Sequence, residues 1–221
     1  MGQGQRIART TEGELWGVVP QKGKILKMSK NKILTAIRNN KLSGAPLPDI
    51  PLFREADTAP VEAFSAMVET GGGRIVQVSG LSELNTMLPK LFPGAERIAS
   101  PIPEVDSNVA LEQVQSPAEL ETVDVAVIRG QLGVAENGAV WVTEEDCGHR
   151  VLPFITQHLI LLLNEDDIVS DMHQAYRQIP IDQSGFGLFI AGPSKTADIE
   201  QSLVIGAQGA RSLTIFLGTR A

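Results

Sequence analysis

Short apolar runs alternate along the chain with amphipathic stretches, a rhythm that predicts strands alternating with helices. Residues 29–40 put Ile33, Leu34 and Ile37 on one helical face and turn Lys30, Lys32 and Arg38 away from it. Residues 60–70 predict a second helix, with Phe64, Met67 and Val68 apolar, stopped by Gly71-Gly72-Gly73. A strand over 74–79, a helix over 82–91 and a short strand over 97–99 follow. The triple glycine precedes its strand, whereas a phosphate-cradling loop follows one, so it reads as a helix stop. Between residues 42 and 53, Pro46, Pro48 and Pro51 leave no room for a regular element. That stretch reads as an extended arm over the surface; a segment that grips a partner protein is the alternative.

Residues 101–120 are acidic and proline-bearing, a predicted loop with one helical turn at 117–120. A strand over 123–128 leads through Arg129-Gly130-Gln131-Leu132-Gly133-Val134 to Ala135-Glu136-Asn137-Gly138 and a strand over 139–143. Asn-Gly between two β-prone runs predicts a hairpin. A polar turn over 144–150 holds Cys147, His149 and Arg150, and 151–155 is an apolar connector. His158 opens a buried strand over 158–163. Asn164-Glu165-Asp166-Asp167 then reads as an acidic helix start, with Ile168, Met172 and Tyr176 along one side.

The stretch 186–206 reads as strand, turn and helix. The strand is 187–191, Gly192-Pro193 breaks it, and Ser194, Thr196 and Asp198 are all suitable helix caps. Ile199 and Leu203 would share the helix's inner face, ahead of a glycine-rich turn at 206–209 and a last strand at 213–217. A helix opening there would aim unpaired backbone N–H groups outward beside Lys195, an arrangement suited to an anion. A capped surface helix with a solvated lysine is the alternative. Together these elements predict an α/β fold. Its mostly parallel, Rossmann-like sheet has helices on both faces and one antiparallel hairpin. Ligands of such sheets bind at the carboxyl ends of the strands.

Composition narrows the partners. A net charge of −7 over 221 residues argues against nucleic acid and anionic membrane surfaces. No apolar run reaches membrane-spanning length and no basic-then-apolar leader opens the chain, so a cytoplasmic location is expected. Cys147 is the only cysteine, which excludes an internal disulfide and an iron–sulfur cluster held by this chain alone. Cys147-x-His149 is too tight for a standard zinc pair, so no metal is expected. No dinucleotide or phosphate loop follows a strand, and no cofactor is expected. The division expected is residues 1–56, a helix and proline-rich arm, and residues 57–221, the α/β domain.

G-P-S-K-T-A-D-I-E at 192–200, with the glycine-rich turn and last strand, resembles the C-terminal signature of the LUD-domain family, in its lactate-utilisation protein C branch. The resemblance covers about residues 57–217 and implies a ribose-isomerase and CoA-transferase-like fold. It also implies a part in oxidation of L-lactate to pyruvate, beside two iron–sulfur proteins whose cysteines this chain lacks.

A-E-N-G at 135–138 matches a family element and resembles the S-E-N-G of class I CoA-transferases, whose glutamate is a nucleophile. Glu136 is thereby a candidate catalytic residue, with a ligand contact or a plain turn acid as alternatives. Asn137, Arg150, Ser194, Lys195 and Thr196 are candidate anion-binding residues; Arg150 matches a basic position of the family. His158 approximates a family histidine that follows two prolines, here replaced by Ile155-Thr156-Gln157. A hydrogen-bonded core histidine is its alternative.

Three functions stay open: the non-iron–sulfur component of lactate oxidation, a stand-alone CoA or acyl transferase-like or isomerase-like enzyme using Glu136, and an assembly protein. The partners expected are a small anionic metabolite, iron–sulfur proteins and further copies of the chain.

Overall fold

The structure, a computed structural model, describes residues 30–40, 60–180, 185–197 and 203–218. The chain divides into two compact units, residues 1–50 and 51–221. In the first, Lys30–Asn39 forms helix α1, with Ile33, Leu34 and Ile37 all exposed. The proline-rich arm lies outside the described residues.

The second unit follows the predicted rhythm closely through its first half. Helix α2 (Pro60–Thr70) buries Phe64 and Val68. Its last turn closes on the triple glycine, where the Gly71, Gly72 and Gly73 amides donate to the carbonyls of Met67, Glu69 and Val68. Strand β1 (Arg74–Gln77), helix α3 (Leu81–Leu91) and strand β2 (Ile98–Ala99) follow. After a loop with two short 3-10 turns come β3 (Val125–Arg129), β4 (Leu132–Val134) and β5 (Ala139–Thr143). Two helical turns, α4 (Glu144–Cys147) and α5 (Leu152–Ile155), lead to β6 (His158–Asn164).

The acidic stretch after β6 corrects the sequence reading. Glu165–Asp167 is a 3-10 turn, Ile168–Val169 is strand β7, and helix α6 (Met172–Gln178) starts only at Met172. Ile168 and Val169 are β-branched or apolar and find a partner in β4, in register with Gly133 and Val134. The helix start passes to Asp171, whose carboxylate accepts from the Gln174 amide at 2.8 Å.

The stretch after Gly192 is a second correction. Strand β8 (Gly187–Ile190) ends at the turn, but Lys195–Ala197 and Leu203–Ile205 then form antiparallel strands β9 and β10 instead of a helix. Ser and Thr cap helices and turns alike, and the β-branched Val204-Ile205 favours a strand. Asp198 and Ile199 lie outside the described residues. The glycine-rich turn then delivers β11 (Ser212–Gly218).

The central sheet has five strands in the order β1-β11-β6-β3-β2, every neighbouring pair parallel. Its near-continuous apolar strands are covered on both faces, as parallel strands must be. Val125 and Val127 of β3, Ile160 and Leu162 of β6, and Phe216 of β11 pack with Leu84 and Leu88 of α3. The alternate residues Ala126, Ile128, Leu159, Leu161 and Ile215 pack with Phe64 and Val68 of α2, and with Val140 and Val142 of β5. A second sheet, β7-β4-β5-β8, therefore lies on the α2 side. Its far face, with Leu132, Val134 and Val169, is closed by Ala175 of α6 and by Ile179. Among the described residues no helix is long and apolar enough to cross a membrane.

Candidate functional site

Because all five central strands run the same way, their carboxyl ends share one edge. An open hollow of about 620 Å³ lies there. The ends of four strands contribute: Val78 just after β1, Arg129 closing β3, Leu162 to Asn164 closing β6, and Phe216 and Gly218 of β11. Gly80 and Leu81, at the start of α3, complete the rim. Gly80 caps α3 without a side-chain acceptor.

The polar groups here are few. Arg129 is exposed and makes no side-chain hydrogen bond or ion pair among the described residues. Asn164 donates from Nδ2 to Asp167 Oδ2 at 2.8 Å. Gln131 donates from Nε2 to Thr143 Oγ1 at 3.2 Å, and that hydroxyl donates to Asp146 Oδ2 at 2.7 Å. Gln131 is thereby oriented by the capping box that opens α4. Sequence reasoning passed over Arg129 and Gln131. The available signal was a charged residue and a glycine at the end of an apolar strand, the place where such sheets bind ligands.

The residues singled out beforehand are spread over three places. Ser194 and Lys195 line a smaller hollow of about 310 Å³, floored by Leu159, Leu188 and Leu213. The Lys195 ammonium donates to the carbonyl of Gly71, beyond the end of α2. The helix nearest Lys195 therefore presents its C-terminal end, where a cation is favoured. Thr196 donates from Oγ1 to the Val204 carbonyl across the β9–β10 pair at 3.4 Å. The Ser194 amide donates to Ala210 at 2.9 Å.

Glu136 is exposed, and its Oε2 accepts from the Met172 amide at 3.0 Å. Its charge sits at the first residue of α6, beside the capping Asp171. Asn137 accepts at Oδ1 from the Ala139 amide at 3.0 Å, which tightens the turn. Gly138 has φ +67°, and a Cβ there would lie 2.7 Å from the Val68 amide nitrogen. The turn thus needs glycine twice, for its backbone angle and for its closeness to α2.

Arg150 makes a two-pronged pair with Glu144, Nε to Oε1 and Nη2 to Oε2, both at 2.7 Å. The hydrogen bond holds the Glu144 carboxyl below its ordinary range and raises Arg150 above its own. The guanidinium also lies 5.5 Å from the Phe186 ring centre. Neither Glu136 nor Arg150 lines either hollow.

Cys147 is buried, and burial first, then the charges of Asp146 and Glu144, push its thiol up to about 12. It stays a protonated thiol at neutral pH. His149 donates from Nε2 to the Leu111 carbonyl at 2.8 Å. His158 packs against Phe92 with the rings tilted and centroids 4.9 Å apart, and pairs through Nδ1 with Ser212 Oγ at 2.8 Å. It sits at the start of β6, opposite the edge that holds the larger cavity. Among the described residues no group of three His, Cys, Asp or Glu is arranged to hold a metal ion.

A parallel sheet layered between α3 and α2, with a hollow at its carboxyl edge, defines an α/β protein. Residues 61–217 match the LUD domain, and the chain belongs to that family. It is 32% identical over 110 residues to a protein of Shouchella clausii named "Lactate utilization protein C". That stretch is 47% of this chain and 45% of the relative. A protein of the same name from Oceanobacillus iheyensis is 29% identical over 101 residues, 42% of this chain and 43% of the relative. The chain thus spans less than half the length of these two curated relatives. The crystal structure of a DUF162 family protein from Deinococcus radiodurans superposes with a TM-score of 0.57. It covers 76% of this chain and 99% of its own at 20% identity, a likeness of fold.

Proposed function

We propose that this chain is a component of L-lactate utilisation. In this reading it serves oxidation of L-lactate to pyruvate as a subunit without an iron–sulfur cluster, and it holds a small anionic ligand at the carboxyl edge of its parallel sheet. The names of its relatives supply the pathway. The observation that carries the site is Arg129. It closes β3 at the rim of the 620 Å³ cavity and has no side-chain partner among the described residues. A cation placed there without a partner suits a carboxylate, which a guanidinium can bind through two parallel hydrogen bonds. Iron–sulfur proteins that take the electrons are the partners this reading requires.

Titration calorimetry of the full chain with L-lactate, pyruvate and phosphate tests the site. Binding that Arg129→Gln abolishes and Lys195→Met leaves in place is the expected result. The reverse pattern would move the ligand to the smaller hollow, a second reading favoured by the presence of Ser194 and Lys195 on its wall. Co-purification with iron–sulfur proteins that oxidise L-lactate tests the pathway, and its failure would count against the reading. Acyl transfer through Glu136 is the reading that a glutamyl thioester adduct would establish and full activity in Glu136→Ala would remove.

A further inference from the structure

Granting that the strand-edge cavity takes an anion, we infer that its ligand is a monocarboxylate with an acyl chain or ring longer than three carbons. The head lies on Arg129 and the body on the apolar wall.

Size is the first ground. A three-carbon hydroxy acid fills roughly 100 Å³, about three water volumes of ~30 Å³ each. The cavity holds about 620 Å³, within the range of sites for much larger molecules. A three-carbon acid on Arg129 would leave most of that space to water.

The wall is the second. Val78 and Leu81, both half-buried, present apolar surface to it, and the buried Leu84, Leu162 and Phe216 complete an apolar lining. An apolar lining is a poor match to a small, fully hydrated acid. It suits a body that gains by leaving water.

The third ground is the sign and number of charges. Among the described residues, Arg129 and Asp167 are the charged ones lining the cavity. Asp167 accepts from the Asn164 amide at 2.8 Å. A second negative group on the ligand would meet Asp167, so the lining favours one carboxylate over a polyphosphate.

A chain-length series tests this. Straight-chain monocarboxylates from acetate to octanoate are titrated calorimetrically into the full chain, with L-lactate alongside. The proteins are the natural sequence, Arg129→Gln and Gly80→Phe. Gly80 has an extended backbone with φ 163°, and a Cβ there meets nothing within 4 Å, so phenylalanine is accommodated and fills space at the rim. Far-UV circular dichroism checks that both variants fold.

Each added methylene is expected to tighten binding about fourfold until the wall is covered. Arg129→Gln should weaken every member about tenfold or more, as loss of a charged hydrogen bond does. Gly80→Phe should weaken octanoate more than acetate. A flat series that still needs Arg129, with lactate binding as well as octanoate, would overturn this inference and leave the anion site standing. Absence of any Arg129-dependent binding would overturn both. Length dependence indifferent to both variants would place the acyl chains elsewhere and overturn the inference.

Discussion

The ammonium of Lys195 donates to the carbonyl of Gly71, three residues before the start of β1 and just beyond the end of α2. A lysine that follows a Gly-Pro-Ser turn thus serves a helix 124 residues earlier in the chain. The close approach of the two turns depends on Gly192, whose φ is +74° and whose Cβ would meet the Gly71 oxygen at 2.5 Å. Lys195→Met is expected to cost about 0.3–1 kcal/mol, the usual worth of a cation at a helix end. Urea unfolding measures it. An unchanged midpoint, together with lost anion binding, would reassign Lys195 from the helix to a ligand.

At the other turn that meets α2, the A-E-N-G hairpin, two substitutions should separate backbone from charge. Gly138→Ala forces a side chain into a left-handed backbone and against the Val68 amide. It should lose about 1–3 kcal/mol. Glu136→Gln keeps an acceptor for the Met172 amide and removes only the charge at the start of α6. Its loss should stay below about 1 kcal/mol. A larger loss from Glu136→Gln than from Gly138→Ala in thermal unfolding would show that the carboxylate, not the glycine, holds this corner together.

Acid should weaken the fold through His158 before it reaches the carboxylates. Burial first, then the charge of Arg211, lowers the pKa of His158 below its ordinary 6.5, against a smaller opposing pull from Asp124. The unfolded chain then binds the proton more readily. The contribution of His158 is complete above pH 6.5 and declines as pH falls below it, towards the lowered folded value. His158→Gln should flatten that part of a stability–pH curve. At more acidic pH, Asp124 acts next. The amides of Arg97 and Glu96 hold its carboxyl below the ordinary 3.8, so its contribution is lost as pH falls through the lowered value. A curve for His158→Gln that matches the natural sequence just below pH 6.5 would contradict the assignment.

Cys147 should be chemically silent. Its thiol is buried and raised to about 12, so disulfide-exchange reagents at pH 8 should label it only as fast as the protein unfolds. Labelling in urea should be complete. Rapid labelling of the native protein would show that the α4 region opens locally.

Much of the central sheet was legible in the sequence because its strands are buried on both faces. Runs such as Leu159-Ile160-Leu161-Leu162-Leu163 carry their strand character without any neighbour's help. The Asn137-Gly138 hairpin and the glycine stop after α2 were legible for a related reason. Each is a local backbone demand that one or two residue types satisfy.

Where local signals were ambiguous, tertiary contacts decided. Ser194, Thr196 and Asp198 cap turns as readily as helices, and the pairing of Thr196 with Val204 settled the first part of that stretch as a strand. Ile168-Val169 became a strand because β4 offered an edge in register. The family signature and the buried strands of the central sheet were written in the amino-acid order, since both depend on residues close together in the chain. The cavity was not. Arg129, Gly80 and Phe216 share a wall only because parallel strands bring their carboxyl ends to one edge, and that alignment is a property of the assembled sheet.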